Sequence, residues 1–276
     1  MLINSVKNTV DKIHRTRKSV LTALLRACSG IMLLAFPLLT PLQAAECNSD
    51  AFDQQFTVEQ VISPTVFKLS DGRRLALANI YSPKINFQND HQRKTLDALA
   101  LLKQKLAPPA SISIRFDKKT FNQYHYILAH AFFADGSSIQ QWLLEQGLAF
   151  VDTQPPNLWS NDCYLITEST ARQTRQGLWK LNQFADTEIN PDTELGAGFY
   201  RLAGKVTRIT NSSNTLWLHL SDTIAVRIEQ EDRHYFKTGK PESLRSHRII
   251  ASGILFPHKS GYNLRIRHPS MLKIID

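Results

Sequence analysis

Acid–base chemistry needs a carboxylate or an imidazole held beside a partner, and here the candidate groups are scattered. Asp71 and Asp135 each precede a glycine in predicted turns, where aspartate serves turn geometry. Asp117 follows a strand beside Lys118 and Lys119, a spacing equally typical of a solvated loop. His125 and His130 flank a strand at an odd separation, so they point to opposite faces. No motif joins these five residues into an acid–base pair. Neither Cys47 nor Cys163 has a cysteine or histidine nearby at zinc-ligand spacing.

Binding chemistry has a better basis. Residues 196–276 carry 13 basic and six acidic side chains, a net of +7. Among them are Arg201, Lys205 and Arg208; Arg245, His247 and Arg248; and His258, Lys259, Arg265, Arg267 and His268. Arg265 and Arg267 share one strand face and Leu264 and Ile266 the other. With Tyr200, Trp217, Tyr235 and Tyr262 available for stacking, such a face suits single-stranded nucleic acid. An anionic envelope component is the other ligand that the charge fits. Residues 46–180, with 14 basic and 13 acidic side chains, offer no comparable platform.

The formal charge of +9 overstates the basicity of the folded part. Residues 1–45 contribute +5 of it and have the order of a secretory leader. A basic stretch ends at Arg17-Lys18, an apolar run extends from Val20 to Leu39, and Pro37 and Pro41 break it before Leu42-Gln43-Ala44. Ala27 to Leu39 is 13 residues, short of the roughly 20 that span a bilayer. The expectation is a signal peptide over 1–44, cleaved near Ala44 or Ala45, and a periplasmic or secreted protein. An uncleaved leader would instead anchor it at the inner membrane. Cys28 leaves with the leader, and an even pair in an oxidising compartment predicts a Cys47–Cys163 disulfide.

Thr57–Ser70 alternates apolar and polar residues, Asp71-Gly72 is a hairpin signal, and Arg74–Ile80 returns as a strand. Leu96, Leu99, Leu102 and Leu106 recur at helical spacing within Asp90–Leu106, which Pro108-Pro109 stops. Ser111–Phe116 and Tyr126–Ala134 read as strands, Ser138–Leu148 and Leu165–Gly177 as helices. The acidic, aperiodic segment 181–195 reads as a linker. Beyond it come five candidate strands: Tyr200–Thr210, Thr215–Leu220, Ile224–Glu229, Arg248–Leu255 and Tyr262–Ile266, with a helical turn near Pro241–Ser246. The fold class is therefore α+β, mainly β with helices. A five-stranded barrel with helices over 46–180 is followed by a second small barrel over 196–276, of oligonucleotide-binding (OB) type or alternatively SH3-like.

Three stretches carry a family resemblance: TVEQVISPTVFKLSDGRRLALANIYSPK at 57–84, YHYILAHAFFADGSSIQQWLLEQGLAFV at 124–151, and AR-x-x-R-x-GLW at 171–179. They resemble the staphylococcal-nuclease (thermonuclease) family, which hydrolyses nucleic acid with calcium, a carboxylate base and two arginines. The resemblance implies an OB-type barrel with attached helices. Where the family has Asp-Gly-Asp-Thr, this chain reads Ser63-Pro64-Thr65-Val66. Where it has Arg-Leu-x-Gly-Ile-Asp-x-Pro-Glu, this chain reads Ala76-Leu77-Ala78-Asn79-Ile80-Tyr81-Ser82-Pro83-Lys84. The Tyr-Gly-Arg-x-Leu-Ala motif becomes Tyr124-His125-Tyr126-Ile127-Leu128-Ala129.

On that alignment Thr65 and Tyr81 replace calcium ligands, Ala76 and Tyr126 the arginines, and Lys84 the base. Calcium takes six to eight oxygen ligands, usually with carboxylates among them, and a lysine is protonated near neutral pH. No cofactor and no metal are expected. The sequence thus points to an exported thermonuclease-like protein without the catalytic residues, acting as a binding or assembly module for nucleic acid or an envelope partner. Its binding candidates are Arg201, Arg248, Arg265, Arg267 and Tyr262. The alternative is a divergent, active phosphodiesterase with a relocated site.

Overall fold

The alternation that begins at Gln54 builds one long bent strand. In the computed structural model, which describes residues 47–83, 90–190, 193–237, 240–258 and 261–275, strand β1 spans Gln54–Ser63. Its first half pairs antiparallel with β5 (Ala110–Arg115) and its second half with β2 (Val66–Leu69). Register shifts at Val58/Gln60 and Val61/Ser63 let it turn from one neighbour to the other. β2 pairs with β3 (Arg74–Leu77), and β3 runs parallel to β6 (Ile127–Phe132), which pairs with β5 and closes the barrel. Thr57–Ser70 is therefore two strands, with Pro64 and Thr65 at the turn between them.

The core follows the pleat. Val58, Phe67, Leu69, Leu75, Leu77, Ile112 and Ile114 point inward and are buried. All six residues of β6 are buried, the pattern of a strand covered on both faces. Helix α1 (Asp90–Lys105) contributes Leu99 and Leu102, followed by Leu106. Helix α2 (Ile139–Glu145) is capped by Ser138 Oγ, which accepts the Gln141 N–H at 3.2 Å. Helix α3 spans Asn161–Gln173, four residues ahead of its expected start. A two-stranded pairing of β4 (Ile80–Tyr81) with β7 (Phe150–Val151) lies outside the barrel.

Two glycines fix how α2 and α3 leave. Gly147 (φ +62°) and Gly177 (φ +49°) meet so closely that a Cβ on either would sit within 2.2–2.3 Å of the other segment's backbone oxygen. The Leu178 N–H donates to the Gly147 carbonyl at 2.8 Å. Only glycine permits both the left-handed backbone and this approach. Cys47 and Cys163 are joined by the expected disulfide, which ties the segment ahead of β1 to α3. Disulfides persist in oxidising compartments, so this bond fits an extracellular or periplasmic location. No described helix is long and apolar enough to cross a membrane.

The second sheet repeats the strand order of the first. β9 (Gly198–Lys205) and β10 (Arg208–Ser212) follow one another with Val206 and Thr207 between, where one strand was expected. The sheet runs β10, β11 (Thr215–His219), β12 (Ile224–Glu229), β14 (Gly261–Arg265), β13 (Arg248–His258), β9. With β9 and β10 taken together as the counterpart of the bent β1, β12 corresponds to β3 and β14 to β6, and each of these pairs runs parallel. A short β15 (Leu272–Ile274) adds to β13.

Segment 181–195 is not a free tether. Phe184 is buried in a 3-10 turn, β8 (Asp186–Glu188) pairs parallel with β9, and Ile189 is buried in the second core. The described residues, from Cys47 onward, form one compact unit. The expected leader, residues 1–44, lies outside the described residues, as do Lys84 and Lys259.

Candidate functional site

The β3 alternation sends Leu75 and Leu77 into the barrel and leaves Ala76 on the opposite face. There Ala76 lies across from Val66 on β2 and Leu128 on β6. Ala76, Ala78 and Leu128 form a buried apolar cluster separate from the main core, with Val66 and Tyr126 packed against it. The Tyr126 hydroxyl takes a hydrogen bond from Arg74 Nη1, whose guanidinium also lies 5.3 Å from the ring centroid. Thr65 is tied in through its carbonyl, which accepts the Leu77 N–H at 2.9 Å.

Tyr81 faces elsewhere. It packs on the cluster of Phe150, Leu178, Trp179 and Phe199, its ring 6.4 Å from that of Phe199 and nearly parallel to it. Burial, with the charge of Asp152 added, raises its phenol pKa above the ordinary value. The structure thus brings Thr65, Ala76 and Tyr126 into one neighbourhood and turns Tyr81 towards the second β unit.

Two positions where the family motifs have glycine adopt a left-handed backbone here. Asn79, at the Gly position of Arg-Leu-x-Gly-Ile, has φ +61°, and His125, at the Gly position of Tyr-Gly-Arg, has φ +59°. Asparagine and histidine are among the non-glycine residues enriched in that region. Asn79 also uses its side chain: Nδ2 donates to the Asn157 carbonyl at 2.8 Å, and Oδ1 accepts the Gln154 N–H at 3.1 Å.

The remaining acid–base candidates serve the fold. Asp71 accepts from Arg73, and Asp135 from Ser137, each within its own turn. Asp117 accepts the Trp159 N–H at 2.8 Å and the Lys118 N–H at 2.7 Å. Burial opposes its ionisation, but the His130 ring and those two N–H groups prevail and bring its pKa down to about 2. His130 Nε2 stands 3.9 Å from Asp117 Oδ2, beyond hydrogen-bond reach, so the ring acts there through its field. Its Nδ1 is 2.9 Å from the Tyr164 hydroxyl. Burial lowers the His130 pKa, and the fully enclosed ring offers no path to a substrate. Among the described residues, no group of three or more His, Cys, Asp or Glu side chains gathers as a metal cluster.

In the second unit the arginines are engaged. Arg201 Nε donates to Asp186 at 2.6 Å and Nη1 to Ser252 at 2.9 Å. Arg248 grips Glu188, and Arg265 donates to both Glu231 and Asp232. Arg267 donates to the Pro155 carbonyl at 2.8 Å and so staples the two β units together. Tyr262 is placed differently. It lines a cleft of about 510 Å³ with Trp217, His219, His258 and Asp222. Trp217 stands 5.3 Å from the His258 ring at 31° and is held by Nε1 donating to Ser212 Oγ at 3.1 Å. His219 Nε2 lies 2.9 Å from Thr210 Oγ1. His219 was absent from the sequence-level candidates, although the alternation of Thr215, Trp217 and His219 on β11 already placed it on the outer face.

A closed five-stranded barrel with helices, whose third and last strands run parallel, defines an OB-type fold. Residues 74–181 match the family described as staphylococcal nuclease homologue, and the chain carries a staphylococcal-nuclease-like domain there. The β1–β2 hairpin that completes the barrel lies ahead of the matched stretch. No curated protein matches the chain.

Proposed function

We propose that this protein is an exported, nuclease-derived module that binds single-stranded nucleic acid and does not cleave it. The observation that carries the loss of cleavage is the apolar cluster of Ala76, Ala78 and Leu128 where the family keeps a phosphate-gripping arginine. Around it the donor set does not fit calcium: Thr65 and Tyr81 supply neutral hydroxyls, and Tyr81 is committed to the Phe199 cluster. Loss of one preorganised charge contact to a transition state costs about 2.7–4 kcal/mol, and here metal ligands, base and arginines are replaced together. These losses act as a unit and do not simply add.

Binding is assigned to the second β unit, whose strand order favours the OB-type reading over an SH3-like barrel. The Trp217–His258–Tyr262 cleft supplies aromatic rings among hydroxyls and imidazoles, the chemistry of a base-stacking surface. Exposed Arg208 beside His219 adds a cation at its edge. Export rests on the leader-like residues 1–44 and the disulfide.

The test is a zymogram of purified mature protein with and without calcium, beside a titration with labelled single-stranded DNA. Absence of cleavage, together with binding that weakens steeply as salt rises, supports the proposal. Calcium-dependent cleavage by the unmodified protein overturns it.

A further inference from the structure

Between α3 and the second sheet lies a cavity of about 170 Å³ that none of the residues discussed above as nuclease or base-stacking positions explains. One water needs only about 10–15 Å³ of such space, so this volume admits a ligand of several heavy atoms. Its charged lining is Glu168 and Arg172 from α3, Arg201 from β9, and the exposed Lys273 from β15. Ser252 and Ser270 add hydroxyls.

The cations are poised rather than spent. The Arg172 side chain, half-buried, makes no hydrogen bond or salt bridge with any described residue and acts on Glu168 through its charge alone. Arg201 is aimed by Asp186 and Ser252 through Nε and Nη1, which leaves Nη2 without a partner among the described residues. The acidic residue in the lining is Glu168, whose Oε1 accepts the Val151 N–H at 2.7 Å. Burial pushes that carboxyl up to about 7, against the Val151 N–H and the charges of Arg201 and Arg172. With Glu168 protonated, the Arg172 guanidinium and the Lys273 ammonium face the cavity with no carboxylate in its lining to balance them, while Arg201, already paired with Asp186, offers Nη2.

We propose that this seam is a binding site for a small tetrahedral oxyanion, held by Arg172 and Arg201 and regulated by Glu168. The anion takes the place of the Glu168 charge, so binding favours the protonated carboxyl.

Calorimetric titration of the full mature chain with sulfate, at constant ionic strength in chloride, tests this. Sulfate keeps its charge between pH 6 and 8. A requirement for protonated Glu168 therefore predicts saturable binding at pH 6 and about tenfold weaker binding at pH 8. Glu168→Gln, which keeps an acceptor for the Val151 N–H, should bind equally at both pH values. Arg172→Gln should lose binding at both pH values while its circular dichroism stays that of the wild type, because the Arg172 side chain makes no hydrogen bond to any described residue and acts on Glu168 only through its charge. Absence of saturable binding at pH 6 overturns the proposal. So does binding that survives Arg172→Gln, or a pH dependence that survives Glu168→Gln.

Discussion

Phe199 of β9 lies flat against Phe150 of β7, with ring centroids 4.2 Å apart and 12° between the planes. The contact joins the two β units through apolar surface, and Trp179, Phe184 and Tyr81 pack around it. Units joined this way unfold together, and the 181–195 segment between them has its own buried anchors in Phe184 and Ile189.

Phe199→Ala should therefore destabilise the whole protein, by about 3–5 kcal/mol for a buried Phe→Ala change. The measurement is urea denaturation followed by near-ultraviolet circular dichroism. The same variant should open the 190–197 region to limited proteolysis and release a fragment that begins near residue 195. A wild-type stability in the variant would mean that the seam is held by its polar contacts instead.

The barrel was legible because its signals are local. Asp71-Gly72 and the β6 apolar run each announce one element that is found there, whereas the helix expected over Leu165–Gly177 ends at Gln173 and Gly177 opens a separate 3-10 turn. The seam was not legible. Phe150 and Phe199, or Arg267 and Pro155, are far apart in sequence, and nothing in either segment names the other. The same limit applies to charge. Clustering marked Arg265 and Arg201 as a basic surface, whereas the acidic partners Asp232 and Asp186 come from other elements. Asn79 and His125 add a local feature that residue type alone left unstated: both adopt the left-handed backbone.

The Cys47–Cys163 bond closes a loop with a sequence separation of 116. In the chain-entropy model a loop of this size is worth about 4–5 kcal/mol, acting on the unfolded state. Cys163→Ser should lower the urea midpoint accordingly. Reduction of the native protein should have the same effect, with no further loss when the variant is reduced. Free thiols in non-reducing digests of material from the exported fraction would remove the bond from the account.

Asp117 gives the acid limb of stability a specific source. Its folded pKa of about 2 lies below the roughly 3.9 of an unfolded aspartate, so its contribution is complete above about pH 5. It is then lost as the pH falls towards 2. Asp117→Asn keeps one acceptor for the Trp159 and Lys118 N–H groups but removes the charge. The variant should be less stable than wild type at pH 6 and should converge with it near pH 2, read as urea midpoints across that range. Parallel curves would show that the carboxylate charge is not what the loop uses.

The cleft of the second unit is where ligand affinity should be lost first. Trp217 stands on the outer face of β11, its register partner on β10 is Thr210 and on β12 Arg227, and its indole is steadied by Ser212 and His258. Base–aromatic stacking is worth about 1–3 kcal/mol per base on alanine substitution. Trp217→Ala should therefore weaken single-stranded DNA binding roughly 5- to 150-fold, read by anisotropy of a labelled oligonucleotide. Because the substitution removes no charge, the salt dependence of what binding remains should keep its slope. Arg208→Gln should do the reverse, reducing that slope with a smaller loss of affinity. Charge reversal at Arg265 acts on neither quantity directly. It breaks the contacts with Glu231 and Asp232 and should appear as lost stability. If Arg265 instead controls affinity in a variant that remains folded, the ligand lies on the arginine face and not in the aromatic cleft.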